Sequence, residues 1–287
     1  MNFEGFVQDI DEHQWNVYGV QVYEQGKLVH SFGDTNSRFP IYSATKTITS
    51  IAVGMAFDER KIDLQQSILT YLPKEEVNKL SVTQTERFSS ISLERLMTMS
   101  VAGFPFRPEG ENWIRDALSC ELSNVKERCF EYSNIPAYLV GVALSQALGE
   151  DLYQYLERKL FQPLQIVNPG FQRCPSGYFY GASGMQLSVE ELSRIGLLLY
   201  HNGVYEGKRI LSEAYIKEAT GIRQMNREGG YGYFIWKYRD GFSINGKWGQ
   251  KCFVLPNEGL VVTYLSHLEE GSSALRDSME RNILTKE

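Results

Sequence analysis

Cysteine and histidine are scarce in this chain of 287 residues, which contains four of each. No Cys-x-x-Cys pair occurs and the histidines stand far apart, so the spacings typical of a structural zinc site are missing. A sequence of this length also has enough core to fold without disulfide or metal staples. We therefore expect reduced thiols, no bound metal and no cofactor.

Long apolar runs and basic blocks are also missing. No stretch approaches the ~18 apolar residues that span a bilayer, and residues 1–5 have neither the basic nor the apolar part of a signal peptide. The 29 Lys and Arg residues are outnumbered by 35 Asp and Glu, giving a net charge of −6. Without a basic patch the chain has no electrostatic footprint for nucleic acid. These absences predict a cytoplasmic protein that binds neither nucleic acid nor membrane, and they leave its oligomeric state open.

The patterns that are present predict an α+β fold. Residues 1–33 read as a β-hairpin, with strands over 15–23 and 28–32, and the last third suggests strands over 232–238, 251–255 and 260–265. Antiparallel strands at both termini most simply join one sheet. The middle is helical: Ser92 and the Ser188/Glu191 capping box can start helices, and Pro136 suits a first turn. We expect one domain over 1–287, with the sheet in about 1–57 and 230–287, flanked by helices, and a mainly helical insertion over about 58–229.

Residues 43–57 (SATKTITSIAVGMAF) form an unusual helical pattern. Most of it is apolar on every side, as in a buried helix, yet Ser43, Lys46, Thr47 and Ser50 make one polar stripe at i, i+3, i+4 and i+7. A desolvated lysine one turn from a serine can take the hydroxyl proton and make the serine a nucleophile. Ser-x-x-Lys also occurs at Ser123 and Lys126, but that polar stretch reads as a solvated turn. The remaining alternative for residues 43–46 is a helix cap followed by a snorkelling lysine.

Two further motifs are weak when taken alone. Tyr132-Ser133-Asn134 precedes the Pro136 helix, where a phenol can relay protons and an amide can bind a substrate carbonyl, although a core tyrosine is the commoner case. Lys247-Trp248-Gly249 leads into a predicted strand, and its lysine can attract an anion or be a plain surface turn. Residues 241–247 (GFSINGK) also fit the start of a phosphate-binding loop. Trp248 occupies the position of the required Ser or Thr, so we reject nucleotide binding.

The three motifs in this order resemble those of the serine β-lactamase and penicillin-binding protein superfamily, nearest its class C-like branch of β-lactamase-related hydrolases and esterases. Residues 45–63, 93–103 and 181–203 are also similar to that branch, so the resemblance covers roughly residues 15–270. It implies a β-lactamase/transpeptidase-like fold. It also implies that Ser43 is acylated, that Lys46 activates it, and that Tyr132 moves protons and later activates water, with the acylation base left open between Lys46 and Tyr132.

For substrate binding, the resemblance implies that Asn134 holds a carbonyl or amide and that Lys247 holds the phenolate side of the site. The N–H groups of Ser43 and Gln250 would form the oxyanion hole, with Gly249 beside them. Trp248 departs from the Thr or Ser of β-lactamases and D,D-peptidases, whose hydroxyl helps bind the substrate carboxylate, and its indole would narrow the cleft. Our main hypothesis is a hydrolase that cleaves a small ester or amide through an acyl-enzyme on Ser43. The alternatives are a true β-lactamase or D,D-peptidase, and a binding or sensor module with slow turnover.

Overall fold

The computed structural model describes residues 1–122 and 124–284. Its strands are β1 (Val17–Glu24), β2 (Lys27–Gly33), β3 (Phe39–Pro40), β4 (Gln186–Leu187), β5 (Val204–Tyr205), β6 (Lys208–Arg209), β7 (Trp236–Tyr238), β8 (Gly241–Gly246), β9 (Gln250–Leu255) and β10 (Leu260–Ser266). Its α-helices are α1 (Phe3–Glu12), α2 (Thr45–Asp58), α3 (Lys74–Val77), α4 (Val82–Ser89), α5 (Leu93–Met97), α6 (Trp113–Leu118), α7 (Ile135–Leu148), α8 (Leu152–Leu156), α9 (Val189–Tyr200), α10 (Glu213–Thr220) and α11 (Ser272–Met279). Within the described ranges, no helix has the length and apolar character needed to cross a membrane.

One antiparallel sheet joins strands from the two ends of the chain, in the order β2-β1-β10-β9-β8-β7. β1 pairs with β10, so the N-terminal hairpin is continued by the C-terminal strands. This arrangement confirms the predicted α+β architecture. The bounds of β1, β2, β9 and β10 lie close to the predicted strands, because turn residues mark the ends of each.

Helices cover both faces of the sheet. α1 and α11 bury Phe6, Leu275 and Met279 in an apolar cluster with Val20 and Val22 of β1. On the other face α9 packs on β9 and β10, and a side chain at Gly196 would meet Cys252 Sγ at 2.5 Å. The core is therefore continuous from the sheet to the helical region.

α2 is buried on all sides between the sheet and the helical region, as its apolar pattern predicts. Every residue from Thr45 to Ala56 is buried, and the helix packs on α7 and α10. The predicted caps of other helices are present too. Ser92 accepts from Arg95 N, Ser188 and Glu191 form a capping box, and Gly149 ends α7 at φ +70°.

Two local predictions were wrong. The chain before β1 is not part of the hairpin, because residues 3–12 form α1, which Asn2 caps by accepting from Gly5 N at 3.0 Å. Residues 232–235 are not a strand. Tyr233 N and Phe234 N donate to Ala219 O and Met97 O, which lie in α10 and α5, and Phe234 has φ +56°. Residues 241–246, compared above with a phosphate loop, form strand β8.

Candidate active site

Ser43 lies in a 310 turn (Tyr42–Ala44) that runs directly into α2. The turn is held from both sides: Thr45 Oγ1 donates to Tyr42 O at 2.7 Å, and Ile41 N donates to Met185 O at 3.0 Å. Tyr42 has φ +46°, a conformation that bulky residues rarely adopt and that recurs at functional sites. Ser43 is thereby fixed at the N-terminal end of a buried helix, where the positive end of the helix dipole favours negative charge.

Lys46 is 1% exposed and lies one helical turn after Ser43. Its Nζ donates to three oxygens: Asn134 Oδ1 at 2.6 Å, Ala182 O at 2.9 Å and Ser43 Oγ at 3.1 Å. None of these acceptors carries a charge. Burial lowers the pKa of Lys46 to about 7, because removing the ammonium from water disfavours its charged form.

This set of contacts orients the Lys46 amine toward Ser43. A neutral lysine has two N–H bonds and one lone pair. Asn134 Oδ1 and Ala182 O can only accept hydrogen bonds, so they retain the two N–H donors when Lys46 loses its third proton. The lone pair is then directed to Ser43 Oγ, which is the geometry of a general base acting on a nucleophile.

Tyr132 completes the group around the serine. Its ring centroid lies 4.9 Å from Lys46 Nζ, and its phenol is close enough to the Ser43 side chain for that side chain to act on its pKa. Burial raises the pKa of Tyr132 to about 12, the neighbouring Ser43 side chain opposes this rise, and the charge of Glu228 adds to it. Its ring is held by Trp236 at 5.5 Å, in a tilted contact. The phenol is consequently a proton donor at neutral pH.

Asn134 lies just before α7 and is buried, with 7% of its surface exposed. The motif comparison implied that its side chain binds a substrate carbonyl. In the structure its Oδ1 accepts from Lys46 Nζ at 2.6 Å. Asn134 therefore holds the lysine in place, whatever contact it makes with a substrate.

The β8–β9 hairpin brings the third motif to the same place. Lys247 is exposed and its Nζ lies 4.1 Å above the indole of Trp248. That indole meets the ring of Tyr42 edge-on at 5.1 Å and lies 4.3 Å from His267. Trp248, expected to narrow the cleft, thus packs on two residues that form the cleft wall, Tyr42 and Lys247.

Gly249 and Gln250 give the hairpin its shape. Gly249 has φ +86°, and a side chain there would meet Ser266 Oγ at 2.2 Å, so only glycine fits. The Gln250 side chain is 1% exposed and donates to Lys247 O at 3.1 Å and Ser266 O at 2.5 Å. The Gln250 side chain thus stabilises the hairpin. Only the backbone N–H of Gln250 is then left to hydrogen-bond a substrate.

A cavity of about 380 Å³ opens over Ser43. Of the motif residues, Ser43, Tyr132, Asn134 and Lys247 line it, whereas Lys46, Trp248, Gly249 and Gln250 do not. Its other lining residues are Tyr42 and Gly246, which adjoin motif residues, and Phe106, Ser183, Glu228, Trp236, Asn245 and Lys251. The motif search missed this latter group and the Ala182 carbonyl, since they come from distant loops and strands with no short pattern of their own. Within residues 1–122 and 124–284, no cluster of His, Cys, Asp or Glu is arranged to hold a metal ion. Ser123, of the second Ser-x-x-Lys match, lies outside the described residues.

The fold and the side chains around Ser43 indicate a class of protein, and comparison with known proteins identifies that class. The family model described as "Beta-lactamase" matches residues 4–285, so the chain belongs to the β-lactamase family. Its fold is that of the serine hydrolases of the β-lactamase and penicillin-binding protein type.

Individual relatives are distant. A Bacillus anthracis protein assigned as a 6-aminohexanoate-dimer hydrolase superposes with a TM-score of 0.80 at 17% identity, covering 96% of this chain and 80% of that one. A penicillin-binding protein homologue from Caulobacter crescentus gives a TM-score of 0.74 at 15% identity, covering 98% and 96%. In sequence, the probable fimbrial assembly protein FimD of Dichelobacter nodosus is 31% identical over 140 residues, which span 44% of this chain and about a third (33%) of that protein.

Proposed function

We propose that this protein is a serine hydrolase that cleaves a small ester or amide through an acyl-enzyme on Ser43. The observation that carries the proposal is the buried Lys46 Nζ, 3.1 Å from Ser43 Oγ and bound otherwise only to neutral acceptors. Burying an ammonium without a counter-ion costs free energy that a purely structural residue would not need to spend. A base whose pKa is about 7 is matched to catalysis near neutral pH.

In acylation, neutral Lys46 takes the proton of Ser43 while Oγ attacks the substrate carbonyl. The new ammonium faces the Tyr132 ring at 4.9 Å, which stabilises positive charge through the ring quadrupole. Lys46 is a better candidate for this base than Tyr132, because a phenol with a pKa of about 12 is almost entirely protonated at pH 7. The tetrahedral oxyanion would be held by the N–H groups of Ser43 and Gln250.

Collapse of that intermediate breaks the bond to the leaving group, which receives a proton from Tyr132. The Lys46 ammonium restores the phenol proton through a water molecule, since Ser43 Oγ is acylated at this stage and cannot relay a proton. In deacylation a water molecule attacks the acyl carbonyl, its proton passes to the same groups, and the acid leaves as Ser43 Oγ is reprotonated. Each half-reaction therefore begins and ends with Lys46 neutral and Tyr132 protonated.

The cleft favours a small substrate. A volume of about 380 Å³ is at the lower end of the range for ligand pockets, and the rings of Phe106 and Trp236 give it an apolar part. Lys247 lies at its rim, where it would meet the polar end of a substrate. The cytoplasmic location expected from the sequence is part of this proposal.

Intact-mass detection of a covalent adduct tests the proposal. Wild type should gain the mass of a fluorophosphonate probe less HF, since fluoride leaves as the Ser43 Oγ–P bond forms, and it should hydrolyse p-nitrophenyl butyrate. Ser43→Ala should do neither while keeping its melting temperature. Ser123→Ala, which removes the serine of the second Ser-x-x-Lys match, is the matched control and should behave as wild type. Labelling that survives Ser43→Ala would overturn the mechanism.

The same assay separates the alternatives. Rapid turnover of nitrocefin by wild type would favour a β-lactamase, because the bond cleaved in nitrocefin is its β-lactam amide. A stoichiometric penicillin adduct that forms quickly and does not turn over would favour a sensor.

A further inference from the structure

The cleft wall built by β8 and β9 carries two polar side chains that the proposed chemistry does not use. Asn245 of β8 lies directly opposite Lys251 of β9 in the antiparallel register. Both residues line the cavity that contains Ser43. Residues paired in this way have Cβ atoms about 5 Å apart on one face of a sheet, so their polar ends lie within reach of each other.

Neither side chain has its hydrogen-bonding needs met by the protein. Asn245 Oδ1 is buried and has no hydrogen-bond partner among the described residues. Lys251 is only partly exposed, and its ammonium forms no ion pair with a carboxylate in the described part of the chain. Burial lowers the pKa of Lys251 to about 8. A desolvated ammonium beside an unused acceptor is costly unless a ligand completes the set.

The surrounding charges define what such a ligand carries. Glu228 faces Lys251 from the loop before β7 and raises its pKa, whereas Arg276 of α11 lowers it. Arg276 is itself paired with Asp277 and Glu280. Among the cavity-lining residues, Lys247 and Lys251 thus face one exposed carboxylate, which gives a positive cleft in a protein of net charge −6. An anion gains most from that field.

We propose that Lys251 is an anion subsite of the cleft, which takes a carboxylate carried by the substrate away from its scissile ester or amide. Asn245 is its positioning residue: when the ligand binds, the Oδ1 that is unpaired in the free protein accepts one N–H of the ammonium, which leaves the other two for the carboxylate. The inference rests on the proposed function for the position of the scissile bond, but the binding site itself does not depend on turnover. The substrate class that follows is a monoester or monoamide of a short dicarboxylic acid, or an analogue with the same two ends.

Calorimetry on the Ser43→Ala protein at pH 7 tests the subsite without hydrolysis. Monomethyl glutarate should bind about tenfold or more tightly than dimethyl glutarate, because one charge-assisted hydrogen bond distinguishes them. In the Ser43→Ala background, Lys251→Met should abolish that preference. Lys27→Met, which removes the same charge from the exposed strand β2, should retain it.

A second variant protects the test against misfolding. Asn245→Asp places an isosteric carboxylate opposite Lys251, so it should compete with the ligand and reduce the preference for the monoester while the melting temperature stays near that of the parent. Equal binding of the two glutarates, or a preference that survives Lys251→Met in a folded protein, would overturn the subsite.

Kinetics on wild type then separate the two proposals. If mono-p-nitrophenyl glutarate and p-nitrophenyl butyrate are both inert while the binding preference holds, the anion site stands and the hydrolase proposal fails. If p-nitrophenyl butyrate is hydrolysed through Ser43 and the binding preference is missing, the anion site alone fails.

Discussion

Lys46 Nζ lies 2.6 Å from Asn134 Oδ1, closer than the 3.1 Å that separates it from Ser43 Oγ. The amide is a neutral partner, so it fixes the amine without stabilising its positive charge as a carboxylate would. The Ala182 carbonyl, 2.9 Å from Nζ, acts in the same way. The site therefore keeps a lysine that is both oriented and readily deprotonated.

The pH dependence of acylation should follow Lys46. Only the neutral amine can take the Ser43 proton, so kcat/KM for p-nitrophenyl butyrate should rise with pH and level off above about 7, the pKa of Lys46. Tyr132 has to remain protonated, and its pKa of about 12 predicts no falling limb from this group below about pH 10. Stopped-flow measurement of the acylation rate from pH 5 to 10 checks both limbs. A midpoint near the ordinary lysine value would contradict the role given to burial.

Replacing Asn134 by aspartate should move that midpoint upward. A carboxylate 2.6 Å from Nζ favours the ammonium, so the pKa of Lys46 should rise by at least about one unit. At pH 7 kcat/KM should then fall about fivefold or more, because about half of the wild-type lysine is neutral at that pH, and it should recover at pH 9. The control is Asn124→Asp, an exposed position with the same change of charge, which should leave the profile in place. A uniform loss of rate at every pH would indicate that Asn134 acts by contacting substrate.

Much of this site could be predicted because its strongest signals are local. Ser43 and Lys46 lie one turn apart on a helix, so their contact follows from helical geometry once the helix is recognised. Short-range patterns also predict the buried α2, the caps at Ser92 and Ser188 and the strands of the two termini. Each of these patterns agrees with the final packing, which is why reading them separately gave the right architecture.

The parts that could not be predicted depend on tertiary contacts. Ala182 contributes only its backbone carbonyl. Every residue type has one, so the sequence does not indicate this contact. Glu228 and Lys251 reach the cleft from a loop and a strand whose relative position is fixed by the whole fold. The segment 232–235 has strand-like residues, but its backbone bonds to α5 and α10 outweigh that propensity.

Gly246 should prove essential for the position of the nucleophile. A side chain at this glycine would lie 2.2 Å from Ile41 O, two residues before Ser43, so Gly246→Ala should push the hairpin away from the serine. Because a misplacement of about 1 Å can cost roughly 100-fold in rate, kcat should fall by about that factor.

Gly207→Ala is the control for Gly246→Ala. Gly207 has φ +77° in a turn with open space around it, so alanine there adds backbone strain without touching the site. It should lower the melting temperature and leave kcat as in wild type. Equal activity of the two variants would show that the close approach of Gly246 does not position Ser43.

Trp248 should decide stability more than substrate choice. Its indole packs on Tyr42 and His267, and its backbone has φ +62°, which a β-branched residue strongly disfavours. We therefore expect Trp248→Thr to cost about 1–3 kcal/mol of unfolding free energy by loss of ring contacts and added strain, even though threonine is the residue typical of β-lactamases. Trp248→Phe, which keeps an aromatic ring without a branched Cβ, should cost less.

The substrate preference should depend little on Trp248. Wild type and Trp248→Phe should hydrolyse p-nitrophenyl butyrate far better than nitrocefin. Trp248→Thr should not reverse that order, because it destabilises the hairpin that would present the threonine hydroxyl. Denaturant unfolding beside kcat/KM for the two substrates makes the measurement. A nitrocefin rate that rises severalfold in a fully stable Trp248→Thr protein would show that this position selects the substrate directly.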